Sequence, residues 1–174
     1  EEGEVSVNPR QAIQTPHGSG PRHLAFGKDG NMLYVLTELS NEVLAYKFDQ
    51  TTCEASLIHR YNSLPDDYKG DNLAADIHIV DGGRYLYASN RGHDSIAVFA
   101  VNSDGTLKYV EHYVTGAKGP RNFAVVNGGI IVAGQYSDNL IFYGRDNNTG
   151  KIKEKIWEIQ IPSPVSITVK ETVG

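Results

Sequence analysis

The sequence predicts an all-β chain, an arc of about three to four four-stranded antiparallel blades that forms part of a β-propeller. Three observations carry this expectation. A Gly-Pro-Arg opening occurs twice, as GPRHLAF at 20–26 and GPRNFAV at 119–125. A unit of four short apolar runs recurs around these openings, with first positions offset by 53 and then 46 residues. No stretch combines a helical hydrophobic period with helix caps, which removes helical repeats from consideration.

The elements follow in order. A leading strand candidate, QAIQT, occupies 11–15. The first copy runs RHLAFGKDGNMLYVLTELSNEVLAYKF over 22–48, the second ADIHIVDGGRYLYASNRGHDSIAVFAV over 75–101, and the third RNFAVVNGGIIVAGQYSDNLIFYGR over 121–145. Each holds an apolar run, a Gly-bearing turn, a β-rich run, a polar turn and an alternating run. A fourth strand candidate follows each copy: SLIHRY, KYVEHYV and KIWEIQI. The expected blades are 24–62, 76–115 and 122–161, within a single partial propeller domain over 1–174. A terminal strand at 165–170 is expected to complete a blade from a half of the ring lying N-terminal to Glu1. The chain opens Glu-Glu-Gly and its only Met is Met32, so a processed or truncated product is expected.

Composition excludes several classes of function. The net charge of −5 comes without a basic run, which argues against nucleic acid as a partner. No run of about 18 apolar residues is present, so no membrane-spanning helix is expected. The single cysteine, Cys53, permits no internal disulfide or thiolate metal cluster and fits a reducing cytoplasm. It lies in QTTCEA without the context of a nucleophile. The six His residues lack the spacing of a zinc motif, and neither a phosphate-binding loop nor a dinucleotide fingerprint is present. No cofactor or metal is expected.

Superposing the copies separates structural columns from candidate functional ones. Asn41, Asp94 and Asp138 share a turn column, where an Asx side chain hydrogen-bonds the backbone two residues on, and are read as structural. Gly30, Gly83 and Gly129 are expected at turns needing positive φ. Glu38, Arg91 and Gln135 share the next column with three different chemistries, which is the pattern of a site or of solvated loop tips. His23, Asp76 and Asn122 open the innermost strands and so converge on the channel, as site residues or as a polar ring bonded to channel water. Ser166 falls in the same column. Arg22 and Arg121 precede that column and suit carboxylate or phosphate, or salt bridges between blades. Lys118 offers a further phosphate contact, and His78, in IHI, is read as a satisfied structural histidine.

At GPRHLAF, TELSNEVLAY, ADIHIVDGGRYLYASNRGHDSIAVF and GPRNFAV the sequence resembles the lactonase family of seven-bladed propellers. That family includes the propeller-type bacterial 6-phosphogluconolactonases and the fungal carboxy-muconate lactonizing enzymes. The resemblance runs from about His17 to Val169 and fits the C-terminal half of such a protein. It implies a site at one channel mouth, built here from Arg22, His23, Glu38 and Arg91. The turn reads TEL where the family has NEL, and an upstream His of the family has no counterpart in this chain.

The resemblance implies hydrolysis of a small anionic sugar lactone, first of all 6-phosphogluconolactone. The catalytic set is then Glu38, His23 and Arg91, with Arg22, Arg121, Asp76, Asn122 and Gln135 binding substrate. Glu38 or His23 is the base. The alternatives are a muconate-type lactonizing cycloisomerase and a non-enzymatic propeller used for binding. The expected macromolecular partner is the N-terminal half of the same propeller or a second copy of the chain.

Overall fold

The computed structural model describes residues 12–170. Among them, twelve strands form three four-stranded antiparallel sheets. The first sheet orders β1 (Pro21–Phe26), β2 (Met32–Thr37), β3 (Glu42–Phe48) and β4 (Ala55–Asn62). The second orders β5 (Leu73–Val80), β6 (Tyr85–Arg91), β7 (Ser95–Val101) and β8 (Leu107–Val114). The third orders β9 (Pro120–Val126), β10 (Gly129–Gly134), β11 (Asn139–Arg145) and β12 (Ile152–Gln160). Each sheet is a simple meander, and β5 lies beside both β1 and β9. The first strands begin two or three residues before the expected blade starts at 24, 76 and 122, and β1 and β9 open on Pro21 and Pro120. Proline is tolerated at the start of an edge strand, where no ladder donor is needed.

Residues on both faces of the middle sheet are buried. Leu86, Ala88, Ala97 and Phe99 pack on Tyr34, Leu36, Val43 and Ala45 of the first sheet. Tyr85, Tyr87, Ile96 and Val98 pack on Phe123, Ile130, Val132, Ile141 and Tyr143 of the third. Two-sided burial explains why YLYASNR reads as a nearly continuous buried run. Tyrosine hydroxyls tie the stack together: Tyr34 donates to the Gly105 carbonyl at 2.8 Å, and Tyr87 to that of Gly150 at 2.6 Å.

The Asn/Asp column is structural, but by a longer reach than the sequence indicated. Asn41, Asp94 and Asp138 adopt left-handed φ of 56°, 55° and 52°, which short polar side chains tolerate best after glycine. Their Oδ1 atoms accept from backbone N–H groups that follow the fourth strand: Ala74 at 2.9 Å, Gly119 at 2.8 Å and Ser163 at 2.8 Å. Ala74 and Gly119 belong to the next blade or lead directly into it. The carbonyls of the same three residues accept from Ser63, Thr115 and Ile161 N–H at 2.9, 2.9 and 2.8 Å. One residue per blade thus fastens the end of its own fourth strand and, in the first two blades, the start of the following unit.

Two expectations are corrected. Gly30 and Gly83 carry positive φ, but in the third turn that role falls to Gly128 and not Gly129, because the turn is shorter. Residues 165–170 form no ladder among the described residues; Ile167 N–H donates to Asn122 Oδ1 at 2.6 Å. QAIQT begins outside the described residues, and its described part, 12–15, is not a strand. Ile13 instead packs on Leu33, Val35, Leu44 and Tyr46, which are buried. At the other end Trp157, Ile159, Val165 and Val169 remain exposed.

The clamp makes a direct prediction. Asp94→Ala leaves the Gly119 donor without its partner and places a Cβ residue without Asx chemistry at left-handed φ. A loss of about 2 kcal/mol or more in urea-unfolding stability is expected, while Asp94→Asn, which keeps Oδ1, loses much less.

Candidate active site

The Gly-Pro-Arg openings build one end of the channel. Gly20, at φ 66°, sits against the Leu39 side chain, and Gly119, at φ 60°, against the Tyr136 ring, so neither position accepts a Cβ. The Gly20 carbonyl accepts from Glu38 N–H at 2.7 Å and the Gly119 carbonyl from Gln135 N–H at 3.2 Å. The motif therefore pins the turn that carries Glu38 to the strand that carries Arg22 and His23, and does the same for Gln135, Arg121 and Asn122.

A register irregularity occurs at the same place in every innermost strand. Pro21 faces Thr37 and His23 faces Leu36, so Arg22 is the extra residue. The ladder slips likewise between Ala74 and Ile77, and between Pro120 and Asn122. Such bulges re-aim side chains that strict alternation would send to opposite faces. Arg22 and His23, adjacent in sequence, consequently meet: Arg22 Nη1 lies 3.0 Å from His23 Nε2 and donates to the Ala75 carbonyl at 2.6 Å.

A continuous polar chain results. Arg91 Nη2 pairs with Glu38 Oε1, and Arg22 Nε lies 4.0 Å from Glu38 Oε2. Arg22 touches His23, and His23 Nδ1 lies 2.7 Å from Asp76 Oδ1. Asp76 Oδ2 accepts from His78 Nε2 at 2.9 Å, from Asn122 Nδ2 and from Phe123 N–H at 3.3 Å. Arginine only donates, so the His23 Nε2 facing Arg22 is an acceptor; Nδ1 then carries the proton and donates to Asp76. Asp76 and Arg91 are nearly closed to solvent, with side chains 4% and 5% exposed, whereas His23 is 41% exposed and Glu38 33%. Arg91 Nε is buried without a partner.

The electrostatics follow from this packing. Burial pushes the Asp76 carboxyl up, but the His78 hydrogen bond and charge, the His23 hydrogen bond and the Phe123 N–H together outweigh it, and its pKa falls below the usual carboxylate value. Burial, then the guanidiniums of Arg121 and Arg91, lower the proton affinity of Arg22 against the pull of Glu38 and Asp76. Arg22, Arg91 and Arg121 thus share one neighbourhood, and among the described residues Arg121 has no ion pair. Arg22, His23, Asp76 and His78 line an open cavity of about 550 Å³.

His23, Glu38, Arg91, Arg22 and Asp76 are therefore brought together, with Arg121 near Arg22. Asn122 is engaged at both ends, donating to Asp76 and accepting from Ile167, and acts as a bridge between strands. Gln135 shares the Glu38 column yet stays outside the network, its Oε1 buried without a partner. His78 was read as purely structural; it shares the Asp76 carboxylate and lines the cavity, while its ring packs edge-on against Phe123 at 4.7 Å. Its alternation with Asp76 along one strand face was the signal for this role. Lys118 lies with Arg91 and Tyr136 in a neighbouring cavity of about 350 Å³.

A family model described as "Lactonase, 7-bladed beta-propeller" matches residues 1–169. The chain is 38% identical over 153 residues to the 6-phosphogluconolactonase of Bacillus subtilis, covering 86% of this chain and 44% of that protein. Among solved structures, the periplasmic gluconolactonase of Pseudomonas aeruginosa superposes with a TM-score of 0.84 at 32% identity, over 88% of this chain and 43% of that one. A putative 6-phosphogluconolactonase of Bacteroides fragilis gives 0.84 at 30% identity, over 94% and 46%. The chain spans about half the length of these relatives.

Asp76 has a pH signature. Its folded pKa lies below the ordinary value of 3.8, so the unfolded chain binds the proton first. The stability it contributes is complete above that ordinary value and is lost as pH falls through the folded one. In acid unfolding followed by circular dichroism, Asp76→Asn should show a shallower loss of stability below pH 3.8 than the wild type.

Proposed function

Because the chain belongs to the lactonase family of seven-bladed β-propellers, we propose that the protein carrying it hydrolyses a sugar lactone, with 6-phosphogluconolactone as substrate. The observation that carries this reading is the unbroken chain Arg91–Glu38–Arg22–His23–Asp76 at one end of the channel. It joins an oriented imidazole to clustered guanidiniums, the two components that ester hydrolysis of an anionic substrate requires. The name borne by the Bacillus relative supports the phosphorylated substrate.

In this mechanism His23 Nε2 takes a proton from water as the water oxygen bonds to the lactone carbonyl carbon. Arg91 and Arg22 stabilise the charge that collects on the carbonyl oxygen. The ring C–O bond then breaks, and the proton held by His23 passes to the departing ring oxygen, leaving a hydroxyl and a free carboxylic acid that ionises. Glu38 faces a guanidinium with each oxygen, which makes it the group that holds Arg91 and Arg22 in place, and leaves His23 as the base. Arg121, unpaired among the described residues, supplies charge for the substrate phosphate. The remaining blades come from the other half of the protein or from a second copy, beginning beside residues 164–170.

Turnover assays on the full-length protein test the reading. Arg91→Ala and Glu38→Ala should each lower kcat on the order of 10²-fold or more with unchanged circular dichroism. Arg121→Ala should raise KM for 6-phosphogluconolactone more than for gluconolactone. Near-wild-type activity in the first two variants would refute the assignment, and turnover of a carboxymuconate in preference to either lactone would replace it by the cycloisomerase.

A further inference from the structure

Asp76 receives more of the site's hydrogen bonds than any side chain given a catalytic step. It is 4% exposed, on β5, and its two oxygens are used differently. Oδ1 takes His23 Nδ1 at 2.7 Å and the Ile77 N–H at 3.0 Å. Oδ2 takes His78 Nε2 at 2.9 Å, Asn122 Nδ2 and Phe123 N–H at 3.3 Å. Donors from all three blades therefore fix the rotation of one carboxylate. Its backbone is held as well, with Asp76 N–H donating to Ser89 Oγ at 3.0 Å. A carboxylate fixed in this way presents Oδ1 to His23 in a single orientation.

We propose that Asp76 is a positioning residue for the hydrolytic reaction: it holds His23 in the Nδ1–H tautomer with Nε2 turned to the cavity, and His78 holds Asp76. The inference rests on the lactone-hydrolase reading for its effect on turnover, though not for its effect on the imidazole. A neutral imidazole has one proton to place, and the nitrogen that lacks it is the base. An ionised Asp76, which only accepts, puts the proton on Nδ1. Arg22, which only donates, faces the lone pair left on Nε2 at 3.0 Å. When substrate draws the Arg22 guanidinium to its carbonyl oxygen, Nε2 is left to accept a proton from water. The same carboxylate stabilises the imidazolium that forms next. His78 secures the second oxygen and is itself steadied by the edge of Phe123.

A blade-to-blade staple would make the same contacts without serving the chemistry, so the test needs readouts that a staple does not move. In full-length protein without substrate, nitrogen-detected NMR of the ring should show His23 protonated at Nδ1 in the wild type and a mixture of tautomers in Asp76→Asn. Asp76→Asn should lower kcat by about 100-fold or more while KM for 6-phosphogluconolactone stays within about threefold. Asp76→Glu should recover part of kcat. His78→Gln, which can still donate to Oδ2, should retain more kcat than His78→Leu, which should lose about tenfold. An Nε2–H tautomer in the wild type, or an Asp76→Asn variant with lowered melting temperature but unchanged kcat and tautomer, would overturn the proposal. If the wild type turned over no lactone, the hydrolase reading would fall, and the tautomer measurement would still decide the positioning of His23.

Discussion

The arrangement of the channel mouth depends on a short bond made three times. In each unit an Asn or Asp at the second hairpin turn, in the left-handed conformation, accepts a backbone N–H from the segment after the fourth strand. Apolar packing between sheets is strong but permits sliding, since a Leu or Ile face has no directional preference. A directional charge-assisted or amide bond of 2.8–2.9 Å does not slide. It fixes the distance at which one innermost strand follows the next. That distance puts His23 against Asp76, and Asp76 against Asn122.

Within this frame the three blades do different jobs at equivalent places. The first supplies Arg22, His23 and Glu38. The second supplies Asp76, His78 and Arg91, with the small Ala75 between the two flanking arginine positions. The third supplies Arg121 and the Asn122 bridge. The bulge common to the innermost strands makes this possible, because it lets consecutive residues such as Arg22 and His23 serve one cavity. The cost is a local break in the ladder, offset by the hydrogen bonds of the network itself. Arg91 is the most enclosed cation of the group. Its pairing with Glu38 keeps a buried charge compensated while leaving Nε unused.

The same repeat accounts for where the chain departs from its own pattern. Gly105 and Gly150 sit in the third hairpin turns beneath Met32 and Tyr85 of the preceding sheet, where a Cβ would collide. The equivalent place in the first unit is Cys53, exposed and at φ 58°. No described residue packs on that turn from an earlier blade, so the steric demand for glycine is absent there. At the opposite end, residues 164–170 form no ladder among the described residues, and Ile167 reaches β9 through one hydrogen bond to Asn122.

The sequence by itself determined the all-β class, the three four-stranded units and the columns on which the clamp and the candidate site are built. It did so because turn chemistry and strand alternation are local, and because internal repetition shows which positions vary in kind. His23, Glu38, Arg91 and Arg22 were legible in this way, aided by the family resemblance of the GPRH and NRG segments. The tertiary structure decided what the columns do to one another. The reach of Asn41, Asp94 and Asp138 into the following unit, the bulge that turns Arg22 and His23 to one side, the sharing of Asp76 between two histidines, and the withdrawal of Gln135 are all contacts between strands of different sheets or shifts of register. Each depends on the distance and angle between blades. One blade's sequence does not carry that information, because it is set only when the apolar faces meet and the clamps close.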